Sequence, residues 1–234
     1  MCPINPRFCA ILLSAGSGNR TNAKIPKQYS LLNGKAILNY SVKTFIECNI
    51  FEQIIIVIQN EYKNLCLQLL GNSAHHIKLV EGGKTRQEST FKGLQALITY
   101  NPDYVYIHDV ARPFVSKRQI YELSKAVTTK QGAILALPIQ NTIKQATKEN
   151  YIKKTIEREN LYAAQTPQVF PYNIIKLAHA EAAKQKLQHF TDDSQLAEWH
   201  NLNVKIVPGH PTNIKITWDI DFAFAQQILK QKDK

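Results

Sequence analysis

No stretch of this chain is apolar for anything close to the ~18 residues that a membrane span needs, so a spanning protein is not expected. The first residues, with Pro3, Pro6 and Arg7, hold no apolar stretch of the signal-peptide kind. Cys2, Cys9, Cys48 and Cys66 form no C-x-x-C pair and no framework of the secreted type. A reducing, cytoplasmic setting is therefore the expectation. Neither internal repeats, linkers nor low-complexity tracts interrupt the 234 residues, of which 44% are apolar. One domain spanning residues 1–234 is expected, long enough to build its own core.

Acidic residues are in deficit. Lys and Arg number 29 against 18 Asp and Glu, for a net charge of +11. Such a surplus suits either a nucleic-acid binder or an enzyme for phosphorylated substrates. The lysines are dispersed, with clusters only near Lys184 to Lys186 and at the C-terminal end. No helix-turn-helix, zinc finger or RNP aromatic pattern accompanies them. Nucleic acid is not the expected ligand.

The most informative residues are Ser14-Ala15-Gly16-Ser17-Gly18-Asn19-Arg20, followed by Pro26-Lys27-Gln28. A buried strand, 8–13, empties into a loop of small residues and then meets two cations. Glycine and serine let backbone N–H groups approach a ligand, and successive N–H groups cradle an anion. Chemistry at a nucleotide phosphate is implied. The dinucleotide fingerprint fails, because its third glycine would fall at Thr21 and no acidic ribose anchor closes the next strand, which ends at Gln59. A Walker A loop fails too, for want of Gly-Lys-Ser/Thr.

Strand-like runs at 8–13, 53–58, 77–80, 104–108 and 133–137 alternate with helical periods. Ser116 and Gln119 make a capping box that opens one helix. This alternation predicts a mostly parallel sheet with helices on both faces. Ligands then collect at the carboxyl ends of the strands. Residues 14–27, 81–86 and 109–112 all follow such ends and should converge in one cleft. Residues 139–158 differ: two polar, alternating strands turn at Lys148-Glu149-Asn150. A hairpin this polar is marginal alone. It is either a surface hairpin or an arm that packs on a second subunit. Beyond it, helices at 174–183, 194–199 and 222–229 and short strands at 204–207 and 213–216 are expected. Asp192, Asp193, Asp219 and Asp221 suit helix starts. His108 reads as a packed neighbour of Asp109, not as a base.

Five segments resemble one family in order and spacing. They are Ser14 to Arg20 with Pro26-Lys27-Gln28; Gly82-Gly83 with Arg86 and Ser89; His108-Asp109 with Ala111-Arg112-Pro113; Glu157-Arg158 with Gln165-Thr166-Pro167-Gln168; and Thr191-Asp192-Asp193 with Asn213-Ile214-Lys215 and Thr217. The family is the 2-C-methyl-D-erythritol 4-phosphate cytidylyltransferases of the non-mevalonate isoprenoid pathway. The resemblance implies an α/β fold: a three-layer, Rossmann-like nucleotidyltransferase domain with a mostly parallel sheet and a protruding β-arm.

It also implies roles. Arg20, Lys27 and Lys215 would be the catalytic cations around the CTP triphosphate. Leu13, Ser14, Ala15, Gly16, Gly18, Gly82, Gly83, Ser89, Asp109 and Ala111 would form the nucleotide pocket, with Ser14 acting through its backbone where the family has alanine. Asp109, Arg112, Thr142, Arg158, Thr166, Thr191 and Lys215 would bind methylerythritol 4-phosphate, the threonines at 166 and 191 as hydroxyl donors. Thr142 and Arg158 would reach the neighbouring subunit's site from the arm, making a homodimer. Mg²⁺ would ride mainly on the CTP phosphates, near Asp109. The chain departs from the family pattern at Thr21, Val110, Glu157 and Gln140-Asn141, none of them a proposed catalytic cation.

The expected reaction is direct. The substrate's 4-phosphate oxygen attacks the α-phosphorus of CTP in line and pyrophosphate leaves, without a covalent enzyme intermediate. A phosphate monoester is already anionic at neutral pH, so positioning and charge neutralisation suffice. Two other readings stand beside this one: a ribitol-5-phosphate cytidylyltransferase, and a basic nucleic-acid-binding domain without catalysis.

Overall fold

A computed structural model describes residues 5–16 and 25–232. The expected residues Gly18 and Arg20 lie outside them. Eleven strands occur among the described residues: β1 (Phe8–Leu13), β2 (Leu31–Leu32), β3 (Lys35–Ala36), β4 (Phe51–Ile58), β5 (Ile77–Glu81), β6 (Tyr104–Asp109), β7 (Gln131–Pro138), β8 (Ile143–Ala146), β9 (Ile152–Ile156), β10 (Tyr162–Pro171) and β11 (Asn203–Pro208). The α-helices are α1 (Ile37–Cys48), α2 (Lys63–Leu70), α3 (Arg86–Ala96), α4 (Lys117–Ala126), α5 (Tyr172–Lys184), α6 (Asp193–Trp199) and α7 (Asp219–Lys232).

Seven strands form one sheet in the order β11-β7-β10-β6-β1-β4-β5. All neighbours are parallel except β10, which runs antiparallel to both β6 and β7. The period of two in each strand sorts its side chains to two faces. Ala10, Leu12, Ile54, Ile56 and Tyr106 pack with Val42, Phe45, Ile120 and Leu123 of α1 and α4. Cys9, Ile11, Ile55, Val57 and Ile107 pack with Leu94, Ile175 and Leu196 of α3, α5 and α6. Burial on both faces explains why the strands read as unbroken apolar runs. The result is the expected three-layer, Rossmann-like α/β fold with a mostly parallel sheet.

Local signals held where they had a mechanism. Ser116 and Gln119 complete the capping box of α4. Asp192 accepts from the Gln195 N–H at the start of α6, and Asp221 accepts from the N–H groups of Thr217 and Trp218 before α7. The polar hairpin forms as expected: β8 pairs antiparallel with β9 in a two-stranded sheet of its own. One expectation needs correction. Residues 213–216 form no strand, because Asn213 and Ile216 spend their polar groups on the site: Asn213 Nδ2 donates to the Thr166 carbonyl, and the Ile216 N–H donates to that of Ala111. The strand β10 is not among the expected elements, and it carries no alternating pattern of its own. It is buried from Gln165 to Pro171, with a two-residue bulge against β7 at 166–167.

Gly93 shows how closely α3 lies on the sheet. A Cβ there would sit 2.8 Å from Ile11 Cγ2 and 3.2 Å from Val57 Cγ2. Both partners are β-branched and fully buried, so neither can swing aside. Gly93→Ala gains about 1 kcal/mol of helix propensity but overpacks the α3–β1 contact at about 1–3 kcal/mol. The variant should denature at lower urea than the parent; a higher midpoint would show that the layer can yield.

Candidate active site

The carboxyl ends of β1, β5 and β6 open onto a cleft of about 490 Å³ lined by Leu13, Ser14, Ala15, Gly16, Lys27, Gln28, Gly83, Arg86, Ser89, Asp109, Ala111 and Lys215, among others. The three loops expected to converge do so, and residues 14–16 and 27–28 bring the described ends of the nucleotide loop.

Each wall has a local cause. Gln28 Nε2 donates to the carbonyls of Ser14 and Gly16, at 2.7 and 2.9 Å, and so clamps the loop as it leaves β1. The Ser14 N–H donates to Val57. The Ser14 backbone is thus committed within the protein, and it is its buried hydroxyl that finds no hydrogen-bond partner among the described residues. Lys27 is buried in the 3-10 turn that follows. At Gly82 the chain passes Ala15 so closely that a Cβ would meet Ala15 Cβ at 2.7 Å and Ser89 Oγ at 2.9 Å. Ser89 Oγ accepts the Gly83 N–H at 3.1 Å. These contacts fix the 82–89 turn against the 14–16 loop.

Asp109 is the centre of the cleft. Its Oδ2 accepts from Lys215 Nζ at 2.6 Å and its Oδ1 from Arg86 Nε at 3.2 Å. Arg86 also reaches Asp193 Oδ2 at 2.7 Å, and Asp193 Oδ1 meets His179 Nε2 at 3.1 Å in the buried interior. Burial opposes every charge here. Around Asp109, however, Arg86 and Lys215 outweigh burial and hold the carboxyl far below the ordinary range. Asp193 is lowered in the same way by Arg86 and His179. The two carboxylates in turn outweigh the burial of Arg86 and raise its pKa. Arg86 stood in a recognised motif without a role of its own. Its signal was position: the third residue after Gly83, at the start of α3.

The remaining expected residues divide. Arg112 donates through Nη1 to the Asn213 carbonyl at 2.8 Å and stands outside the cleft lining. Thr166 is buried with its Oγ1 3.1 Å from the Asp109 N–H, so it faces the backbone. Thr191 is exposed, and its hydroxyl donates to Gln195 Oε1. Thr142 and Arg158 are exposed on the arm, where Arg158 donates to the Gln140 carbonyl. None of these five lines the cleft.

For Mg²⁺ the fit is poor at the protein itself. Both oxygens of Asp109 are engaged by cations. No group of three or more metal-ligating side chains occurs among the described residues. Among them, too, no helix is long and apolar enough to cross a membrane.

Residues 8–231 match the family model of IspD, the 2-C-methyl-D-erythritol 4-phosphate cytidylyltransferase. The chain belongs to this family. A bifunctional enzyme IspD/IspF of Bartonella tribocorum is 44% identical over 227 residues, which are 96% of this chain and 57% of that protein. The chain thus spans a little over half the length of the curated relatives it matches. Among solved structures, the 4-diphosphocytidyl-2C-methyl-D-erythritol synthase of Anaerococcus prevotii superposes with a TM-score of 0.85 at 31% identity, covering 97% of both chains. The 2-C-methyl-D-erythritol 4-phosphate cytidylyltransferase of Francisella tularensis gives 0.81 at 32% identity, covering 94% of this chain and 99% of its own.

His108, fully buried beside Asp109, has its pKa pushed down to about 3 by burial. The unfolded chain protonates this imidazole near 6.5 and the folded chain resists until about 3, so acid favours unfolding across that window. Asp109 and Asp193 act in the same direction below their ordinary 3.8. Urea midpoints should therefore fall as pH drops from 6.5 towards 4. His108→Asn should flatten that limb. An equal slope in the variant would remove His108 as its cause.

Proposed function

We propose that this chain transfers the cytidylyl group of CTP to 2-C-methyl-D-erythritol 4-phosphate, giving 4-diphosphocytidyl-2-C-methyl-D-erythritol and pyrophosphate. The observation that carries the reading is the cleft's charge: Lys27, Lys215 and Arg86 line one pocket around a single carboxylate. A phosphate-rich ligand needs such positive charge, and family membership supplies the rest.

The chain's residues act by position and charge. The 14–16 and 82–89 turns bring backbone and serine groups to the nucleoside end. Lys27 and Lys215 neutralise charge that builds on the α-phosphate as the 4-phosphate oxygen attacks and pyrophosphate departs. Arg20 belongs to the same set by its place in the motif. No general base is required, because the attacking phosphate is already ionised at neutral pH. Any Mg²⁺ would have to enter with the CTP phosphates, because Arg86 and Lys215 already engage both oxygens of Asp109.

The arm completes the site in a homodimer. Tyr151 and Ile152 on it are 73% and 67% exposed, the kind of apolar surface that a second subunit covers. Thr142 and Arg158 face outward on the same hairpin and serve the neighbouring cleft.

Pyrophosphate release should require CTP and methylerythritol 4-phosphate together, and ribitol 5-phosphate should not replace the latter. Lys27→Ala should lower turnover about a hundredfold or more, as loss of one transition-state contact does. Turnover with ribitol 5-phosphate alone would overturn the substrate, and parental turnover in Lys27→Ala would overturn the role of Lys27.

Lys27→Ala and Arg158→Ala subunits, each inactive alone, should regain about a quarter of parental activity when mixed. Half of the dimers are then mixed, and each has one intact shared site. No recovery after subunit exchange would place Arg158 in its own subunit's site, and an active Arg158→Ala chain would place it outside any.

A further inference from the structure

We propose that His108 and Thr166 are a positioning pair: they lock the 109–112 turn at both ends, and they hold the Thr166 hydroxyl proton inside the protein instead of offering it to substrate. The kinetic part of this inference rests on the reaction proposed above; the geometric part does not.

The argument follows donors and acceptors around one imidazole. The Arg112 carbonyl lies 3.1 Å from His108 Nε2. A carbonyl only accepts, so Nε2 carries the proton. Ser41 Oγ donates to the same carbonyl at 3.2 Å and lies 3.3 Å from Nε2, which reinforces that polarity. The ring is neutral in this buried setting, so Nδ1 must be an acceptor. Thr166 Oγ1 sits 3.0 Å from Nδ1 and is the group that donates to it. A hydroxyl has one proton. With that proton on His108, Thr166 Oγ1 takes the Asp109 N–H at 3.1 Å on a lone pair. The opposite tautomer would set the Nε2 lone pair against the carbonyl oxygen of Arg112.

The chain of bonds therefore has one direction: Asp109 N–H to Thr166, Thr166 O–H to His108, His108 Nε2–H to the Arg112 carbonyl. His108 and Ser41 are fully buried and Thr166 is 5% exposed, so bulk solvent does not reach these bonds. Between the two anchored ends the Arg112 N–H donates to the Asp109 carbonyl at 2.9 Å and closes the turn. One ring thus sets the backbone from which both the Asp109 carboxylate and the Arg112 guanidinium project. The hydroxyl-donor role that the family resemblance implied for Thr166 does not fit this arrangement.

Nitrogen NMR of ¹⁵N-histidine in the full chain tests the geometry directly, with the His108 signals assigned by their absence in His108→Asn. The expected result is a neutral Nε2–H ring whose Nδ1 signal moves in Thr166→Val while Nε2 stays. A proton on Nδ1 would overturn the proposal whatever the enzyme does. In the pyrophosphate assay, Thr166→Val should lower kcat/KM for the sugar phosphate about tenfold to a hundredfold, as small misplacements of reacting groups do. Thr166→Ser should recover most of that loss. His108→Gln can place its amide N–H at the Nε2 position for Arg112 but sets no acceptor at the Nδ1 position that faces Thr166, and it should lose a similar amount although it touches no substrate. The double variant His108→Gln/Thr166→Val should be no worse than the weaker single one, because both break the same chain. Multiplying losses would mean that Thr166 acts on substrate independently of His108, and would overturn the pair. A wild-type chain inactive with both sugar phosphates but carrying the Nε2–H ring would defeat the assigned reaction and leave the pair standing.

Discussion

The structure depends on one buried carboxylate held by two cations. Asp109 ends β6 in the middle of the sheet, with Lys215 2.6 Å from one oxygen and Arg86 3.2 Å from the other. Burying a carboxylate alone is costly enough to neutralise it. The two cations keep it charged, and in doing so they tie three distant segments together: β6, the start of α3, and the irregular stretch before α7. Arg86 carries the tie further, through Asp193 at the start of α6 to His179 on α5. Removing one partner from such a set leaves an unbalanced buried charge, a loss of about 3–5 kcal/mol in comparable cases. The cleft's shape and its charge are therefore the same fact.

That arrangement also bears on how an anion would enter. Lys215 and Arg86 are not idle cations; each already has a carboxylate partner. A phosphate that reaches them would compete with Asp109 for the same donors. Lys27 approaches from a different segment, fixed by the turn at Gln28. Positive groups are thus preset around the place where the phosphates would lie, which is the form of catalysis that needs least reorganisation.

Much of this was legible in the residues. Apolar runs long enough for strands, capping residues at 116 and 192, and small residues after β1 each carry a local physical cause, and local causes can be read one segment at a time. The convergence of the 14–16, 82–89 and 109–111 loops followed from parallel strands alone, since their carboxyl ends lie on one edge. What escaped was non-local. The strand β10 is buried by its neighbours without an alternating pattern of its own, and residues 213–216, which resemble a short strand, are drawn instead into hydrogen bonds with Thr166 and Ala111. Arg86 and Asp193 are 107 positions apart, and no local pattern pairs an arginine with an aspartate at that separation.

Thr166 shows the limit most clearly. As a residue type it offers one donor and two acceptor sites, and position in a motif cannot say which of them faces a ligand. Its assignment comes from the next residue inward, and that residue's from the carbonyl beyond it. His108 read from sequence is only a histidine before an aspartate. Placed with both ring nitrogens engaged, it determines the direction of every bond around the turn. A site residue's chemistry is set by its buried neighbours as much as by its own side chain, and those neighbours come from strands that meet only in the folded sheet.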